Sequence, residues 1–303
     1  MRRQATSTPL HSPSIPTVHE PDRWFVGPSL ILGSALAFST AGLFTRLLLT
    51  DVWTMLFWRG LFGGLFIAGF IAWQRRTATV DAFRPVGSAG LLAAACSTAA
   101  TICFINALRK GTVADVTIIY ATAPFVAAGI TWLSTRQGEK PATLLASLLA
   151  LVGVVIMFDA AISVGHVTGN LLALAMTVLM AGMMVIVRQH RGTSMLPASC
   201  LSAFTCAAAV WPLAHPMDVS AAEFGGLALF GVTQFGLGLL LLTLGGRLVS
   251  ATRASLIANL ELPVAPFWVW LAFGEVPPAP TLLGGAIVMA AIILDMTTAN
   301  RME

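Results

Sequence analysis

Apolar residues in this chain gather into long runs separated by short polar or charged joints. A run of about 20 apolar residues is long enough to cross the hydrocarbon core of a bilayer as an α-helix. Ten runs of this kind are present, over residues 28–49, 52–73, 86–108, 113–134, 142–158, 168–187, 195–213, 224–244, 249–273 and 280–296. The joints are short, so neighbouring spans run antiparallel. Residues 1–27 are polar, rich in Pro, Ser and Thr, and hold no apolar core. They predict a disordered cytoplasmic tail and not a signal peptide, which needs a continuous apolar stretch after its basic start.

Two segments repeat one pattern. From Val249 the chain reads as an apolar helix broken at Pro263 and Pro266, a loop with Gly274-Glu275, and a second apolar helix. From Val113 a weaker copy has Pro124, then Gly138-Glu139, then another apolar run. An internal repeat at half the chain length, in apolar sequence, marks a carrier built from two related halves. The halves are residues 28–158 and 168–296, linked by residues 159–167.

Composition narrows the class. Hydrophobic residues make up 57% of the chain and charged residues 10%, against roughly a quarter charged in a soluble domain. So few charges cannot cover a water-facing surface, which excludes a soluble enzyme. The net charge of +4 comes without any basic run interleaved with aromatics, so nucleic acid is not an expected partner. The four cysteines, Cys96, Cys103, Cys200 and Cys206, lie in apolar runs without metal-ligand spacing and read as small buried hydrophobes. No metal or cofactor is expected.

Charge placement then orients the chain. With a cytoplasmic N-terminus, the inner joints and termini hold Arg2, Arg3, Arg23, Arg75, Arg76, Arg84, Arg136, Lys140, Arg188, Arg191, Arg247 and Arg301. The outer joints hold Arg109 and Lys110, with Arg46 near that edge. This asymmetry predicts both termini inside. Five spans per half also start the second half on the opposite side, so the repeats are inverted. The expected fold is all-α: a polytopic membrane protein of ten helices in two inverted five-helix repeats. Trp24, Trp53, Trp73 and Trp132 fall near the expected interfaces as anchors, and Gly60 and Gly64 form a small-residue packing face.

Ionisable groups at membrane depth cost at least roughly 2.5–3.5 kcal/mol each, so each must be offset. Glu261 lies near the middle of the ninth span, where a carboxylate can bind an ammonium group, carry a proton or pair with an arginine. Arg253, two turns earlier, can meet a substrate carboxylate, pair within the protein or snorkel to the inner face. Arg59, in the run FWRG, reads first as half of a structural pair and second as an anion partner. Asp115 opens the fourth span. It reads as an exposed helix-start carboxylate favoured by the helix dipole, with charge pairing as the alternative.

The prolines add breaks. Pro124 cannot donate to the carbonyl of Tyr120, nor Pro263 to that of Asn259, nor Pro266 to that of Leu262. In lipid a freed carbonyl must be met by protein or by a water-filled cavity. Matched breaks in two repeats point to a midplane binding site at their interface; a kink that serves only packing is the plainer alternative. Tyr120, Asn259 and Glu261 surround the breaks. Facing spans add Ser39, Trp58, Asn106, Gln234, Met180 and Met184. Aromatics and methionines suit a bulky apolar group, and amides and hydroxyls suit its polar end.

On the run STAGLFTR ending at Arg46, the FWRG run and the segment LELPVAPFWVWLAFGE, the chain resembles the drug/metabolite transporter superfamily, in particular the EamA-type ten-helix exporters. The first copy departs from the pattern: Ala123 precedes Pro124, so no acid matches Glu261, and the loop STRQGEK is longer. The resemblance implies a 5+5 bundle around a central cavity, in a cell inner membrane, exporting small organic metabolites by alternating access. Bulky apolar or aromatic amino acids fit best; drugs, nucleotide derivatives and sugar phosphates are the alternative cargoes. The partners implied are a small-molecule substrate and the lipid bilayer, with the protein a monomer or homodimer. No phosphate-binding loop is present, so a gradient must supply the drive, with Glu261 as the proton carrier. An intramembrane enzyme is the reading from another class. It lacks support from any H-E-x-x-H, G-x-S-x-G or carboxylate cluster, and His11, His19, His166, His190 and His215 fall in tails or joints.

Overall fold

The structure is a computed structural model, which describes residues 23–75, 87–110, 113–158, 167–191, 195–274 and 276–300. The expected tail up to residue 22, most of the link between the halves and the side chain of Trp24 lie outside the described residues. Every regular element among the described residues is helical. The first span is α1 (Arg23–Ser39) followed by α2 (Ala41–Leu47), the second α3 (Val52–Arg75), and the third α4 (Gly87–Lys110). The fourth is α5 (Val113–Tyr120) with α6 (Ala123–Thr135), and the fifth α7 (Pro141–Phe158). The sixth and seventh are α8 (Val167–Gln189) and α9 (Leu196–Val210). The eighth joins α10 (Ala221–Leu229), a π-helical segment (Phe230–Leu237) and α11 (Gly238–Gly246). The ninth is α12 (Ala251–Ala258) with α13 (Glu261–Phe273), and the tenth α14 (Ala279–Asn300).

Among the described residues, nine of these spans have the length and apolarity to cross a membrane, and the fifth is a shorter apolar helix, Pro141–Met157. Apolar residues cover most of each helix surface because lipid replaces water as the solvent.

The principal packing contacts all run between halves: α1 on α11, α3 on α9, α4 on α8, α6 on α12 and α7 on α14. In span numbers these are one with eight, two with seven, three with six, four with nine and five with ten. Exchanging each span for its counterpart five places along returns the same set of pairs. That is the signature of a two-fold relation between repeats, and an odd number of spans per repeat makes the relation an inversion. Small residues permit the close pairs: Gly60 and Gly64 of α3 sit against Ala203, Ala207 and Phe204 of α9.

Local chemistry explains the ends. Asp51 caps α3, its carboxylate accepting the Trp53 and Thr54 backbone N–H groups at 2.9 and 3.1 Å. The broken spans of both repeats finish on a left-handed residue, Arg136 (φ 57°) after α6 and Gly274 (φ 71°) after α13.

Candidate functional site

Three spans are interrupted near mid-depth, at Thr40, at Ala121–Thr122 and at Asn259–Leu260. Two of the breaks follow from proline. Pro124 and Pro263 lie in the first turns of α6 and α13, where a missing N–H leaves no helical bond unmade. The third, at Thr40, has no proline. Hydroxyls serve there instead: Ser39 and Thr40 donate to the Leu36 and Ala37 carbonyls at 2.7 and 2.6 Å. Thr122 does the same to Ile119 at 2.6 Å. The Asn259 carbonyl, expected to be freed by Pro263, instead accepts the Leu262 N–H at 3.1 Å, because the chain tightens to a three-residue turn there.

The breaks of the two repeats meet. Asn259 is fully buried and its amide donates to the Ala121 carbonyl at 3.4 Å. That carbonyl is one that the fourth-span break releases. The Asn259 Oδ1 is buried without a hydrogen-bond partner. Tyr120 and Glu261 flank this crossing, close enough to interact electrostatically. Glu261 is the first residue of α13 and is partly exposed. The third break joins the same set: Trp268 of α13 donates its indole N–H to the Ser39 hydroxyl at 2.8 Å.

Packing around the crossing is lopsided. Seven of the eight residues of α12 are buried. None of the residues of α13 or of α2 is. The bundle is therefore sealed at the α12 end and loosely packed at the α13–α2 end. At the sealed end Arg253 pairs with Asp295 of α14 at 2.8 Å. Thr143 of α7 donates to the other carboxylate oxygen at 2.7 Å, and Asp295 is 2% exposed. Arg253 thus takes a structural partner. Asp295 and Thr143 went unnoticed in the sequence; the signal available was a lone carboxylate in the last apolar run.

The remaining residues divide. Gln234 sits in the π-helical segment and accepts from Arg59 Nη1 at 3.4 Å. Among the described residues Arg59 has no carboxylate partner, so the structural ion pair expected for it is not formed; aromatic rings and this amide take its place. Met184 is buried and accepts the Ser255 hydroxyl of α12 at 3.0 Å, and Met180 packs partly buried on the same core. Trp58 packs against the rings of Phe57, Phe62 and Phe224. Asn106 donates to the Ile102 carbonyl of its own helix. Asp115 opens α5 as expected, but it is 1% exposed and not solvent-facing, because α5 packs on α7 and α8. Pro266 lies inside α13, which continues through it. Among the described residues no three His, Cys, Asp or Glu side chains gather as a metal site would require.

Comparison with known proteins adds a family. Residues 25–159 and 167–297 each match the model of the EamA-like transporter family. No curated protein matches the sequence significantly. A solved structure titled only as a crystal structure of protein superposes with a TM-score of 0.78 at 16% identity, over 91% of this chain and 98% of its own. That likeness establishes the fold.

Proposed function

The chain belongs to the EamA-like transporter family, a multi-pass membrane carrier family of the drug/metabolite superfamily, and from its geometry we propose a secondary exporter of amino acids with bulky apolar or aromatic side chains, working by alternating access. The observation that carries this is the crossing of two broken helices, with Asn259 bridging to Ala121 between Tyr120 and Glu261. Unwound backbone lining a site between inverted repeats is how carriers meet a solute at mid-depth.

Sealing at one end and loose packing at the other describes one of two states. In the second, the repeats exchange roles: α5 seals against its neighbours, as α12 does here, and α6 loosens. Because the principal contacts pair spans across the repeats, the units that rock combine spans from both repeats, residues 28–158 and 168–296. Lys and Arg placement supports cytoplasmic termini in a cell inner membrane, with the sealed end facing the cytoplasm.

Counterflow in proteoliposomes holding only this protein tests the cargo. Vesicles are preloaded with one unlabelled amino acid and given the same labelled compound outside. Transient accumulation of aromatic and other bulky amino acids is the expected result. No accumulation of any amino acid, with accumulation in parallel batches of drugs, nucleotides or sugar phosphates, overturns the cargo but not the carrier.

Glu261 is the proposed proton carrier. The Glu261→Gln variant is expected to retain exchange of solute for solute and to lose uphill movement driven by a pH gradient. Proton-driven uptake with unchanged pH dependence in that variant would remove Glu261 from the role.

A further inference from the structure

Arg59 and Arg253 both lie inside spans, and the protein treats them differently. Arg253 receives a carboxylate from Asp295. Arg59, seven residues into α3 and so about 10 Å below its start, receives none among the described residues. Its Nη1 makes one long hydrogen bond, to Gln234. Its Nε is buried without a hydrogen-bond partner. The guanidinium lies over the Phe235 ring at 4.4 Å and near Phe230 at 5.8 Å. A guanidinium has five N–H donors in a planar fork, and most of them have no acceptor among the described residues.

The surroundings are built for this placement. Gln234, Phe230 and Phe235 all belong to the π-helical segment. Such wide turns are rare and concentrate at functional sites. A Cβ on Gly231 would stand 3.1 Å from the Arg59 carbonyl oxygen and 3.3 Å from its Cα, so glycine lets the segment approach α3 backbone to backbone. Arg59 is partly exposed. Phe44 of α2 stacks on Phe230 at 4.9 Å, and α2 has no buried residue. The cluster thus borders the loosely packed end.

We propose that Arg59 and Gln234 bind the anionic group of the transported solute, and that this group is a carboxylate. The inference rests on the carrier function above and specifies its substrate class. The guanidinium fork matches a planar carboxylate in a bidentate pair, and the Gln234 amide can donate to the same oxygen. One cation balances a monoanion. A phosphate dianion would leave a charge unmatched in a low-dielectric site, which sets sugar phosphates and nucleotides aside. Phe230 and Phe235 hold the guanidinium by cation–π attraction while the site is empty.

Matched acids and amides test this in the full-length protein in lipid nanodiscs. Binding is read from the thermal unfolding midpoint with phenylacetate against phenylacetamide, and with L-phenylalanine against L-phenylalaninamide. The acid is expected to bind at least about tenfold more tightly than its amide. In Arg59→Lys the preference should fall by roughly tenfold, since the charge stays but the fork is lost, and Gln234→Ala should weaken it less. Equal binding of acid and amide, or no shift with either acid, overturns the proposal on the unsubstituted protein, whatever the variants' folding. A preference that survives in Arg59→Gln also overturns it. Counterflow of neutral or cationic solutes without carboxylate preference would leave the carrier standing and remove this site. Acid preference in binding with no counterflow of any solute would do the reverse.

Discussion

Replacing Asp295 by alanine is expected to destabilise the protein by about 3–5 kcal/mol, the cost of removing one partner of a buried ion pair. Asp295 is 2% exposed and accepts from Arg253 at 2.8 Å and from Thr143 at 2.7 Å. Removing it takes away the carboxylate that Arg253 and the Thr143 hydroxyl share where three spans meet. The companion change Arg253→Met should restore much of the loss, because a buried pair replaced by apolar side chains is often neutral. Asp295→Asn should fall between, keeping an acceptor for Thr143 and losing the charge. Retention of monodisperse protein after heating measures each variant, and the double-variant cycle isolates the pair. The same pair ties α12 to α14 at the sealed end, so Asp295→Ala should also raise the reactivity of a cysteine introduced at Ala258 of α12. Full thermal stability in Asp295→Ala would show that the contact carries no load.

The second large effect is expected at Gly284. A Cβ there would collide with the Gly153 carbonyl oxygen and stand 2.7 Å from Met157 Cα. Reciprocally, a Cβ on Gly153 would stand 2.7 Å from the Gly284 carbonyl oxygen and 3.0 Å from Val288 N. These obstacles are backbone atoms, which no rotamer change can move. Gly284→Ala must therefore push α7 and α14 apart. That separation weakens the Thr143–Asp295 and Thr281–Met157 hydrogen bonds along the same contact. A cost of about 1–3 kcal/mol is expected, the usual range for overpacking a well-fitted interface, and Gly284→Leu should exceed it. Gly129→Ala is the control, since a Cβ there meets nothing within 4 Å. Equal midpoints for Gly284→Ala and Gly129→Ala would contradict the packing described.

Spans were legible in the sequence because lipid leaves few options: a run of about 20 apolar residues must close its own backbone hydrogen bonds. The breaks at Pro124 and Pro263 were legible for a related reason, since proline removes a donor wherever it sits. The break at Thr40 was not. Ser39 and Thr40 meet its carbonyls, and the same back-bonding occurs in unbroken helix. The π-helical turn was hidden too, because one extra residue does not disturb a pattern that is apolar all round. Partner choice was the least accessible. Asp295 lies 42 residues from Arg253, and the two meet only through the packing of three spans. Asp115 shows the same limit, since its place at a helix start is local but its burial depends on α7 and α8.

Sided thiol labelling tests alternating access most directly. In a variant with the four native cysteines replaced, one cysteine is placed at Ala265 in the loosely packed α13 or at Ala258 in the sealed α12. Without solute, a membrane-impermeant reagent should modify position 265 from one side of the membrane and leave position 258 unmodified from both. During solute exchange, position 258 should become reactive from the opposite side while position 265 is protected. Simultaneous reaction of both positions from one side would describe a pore, and a position 258 that never reacts during transport would contradict the exchange of roles between the repeats.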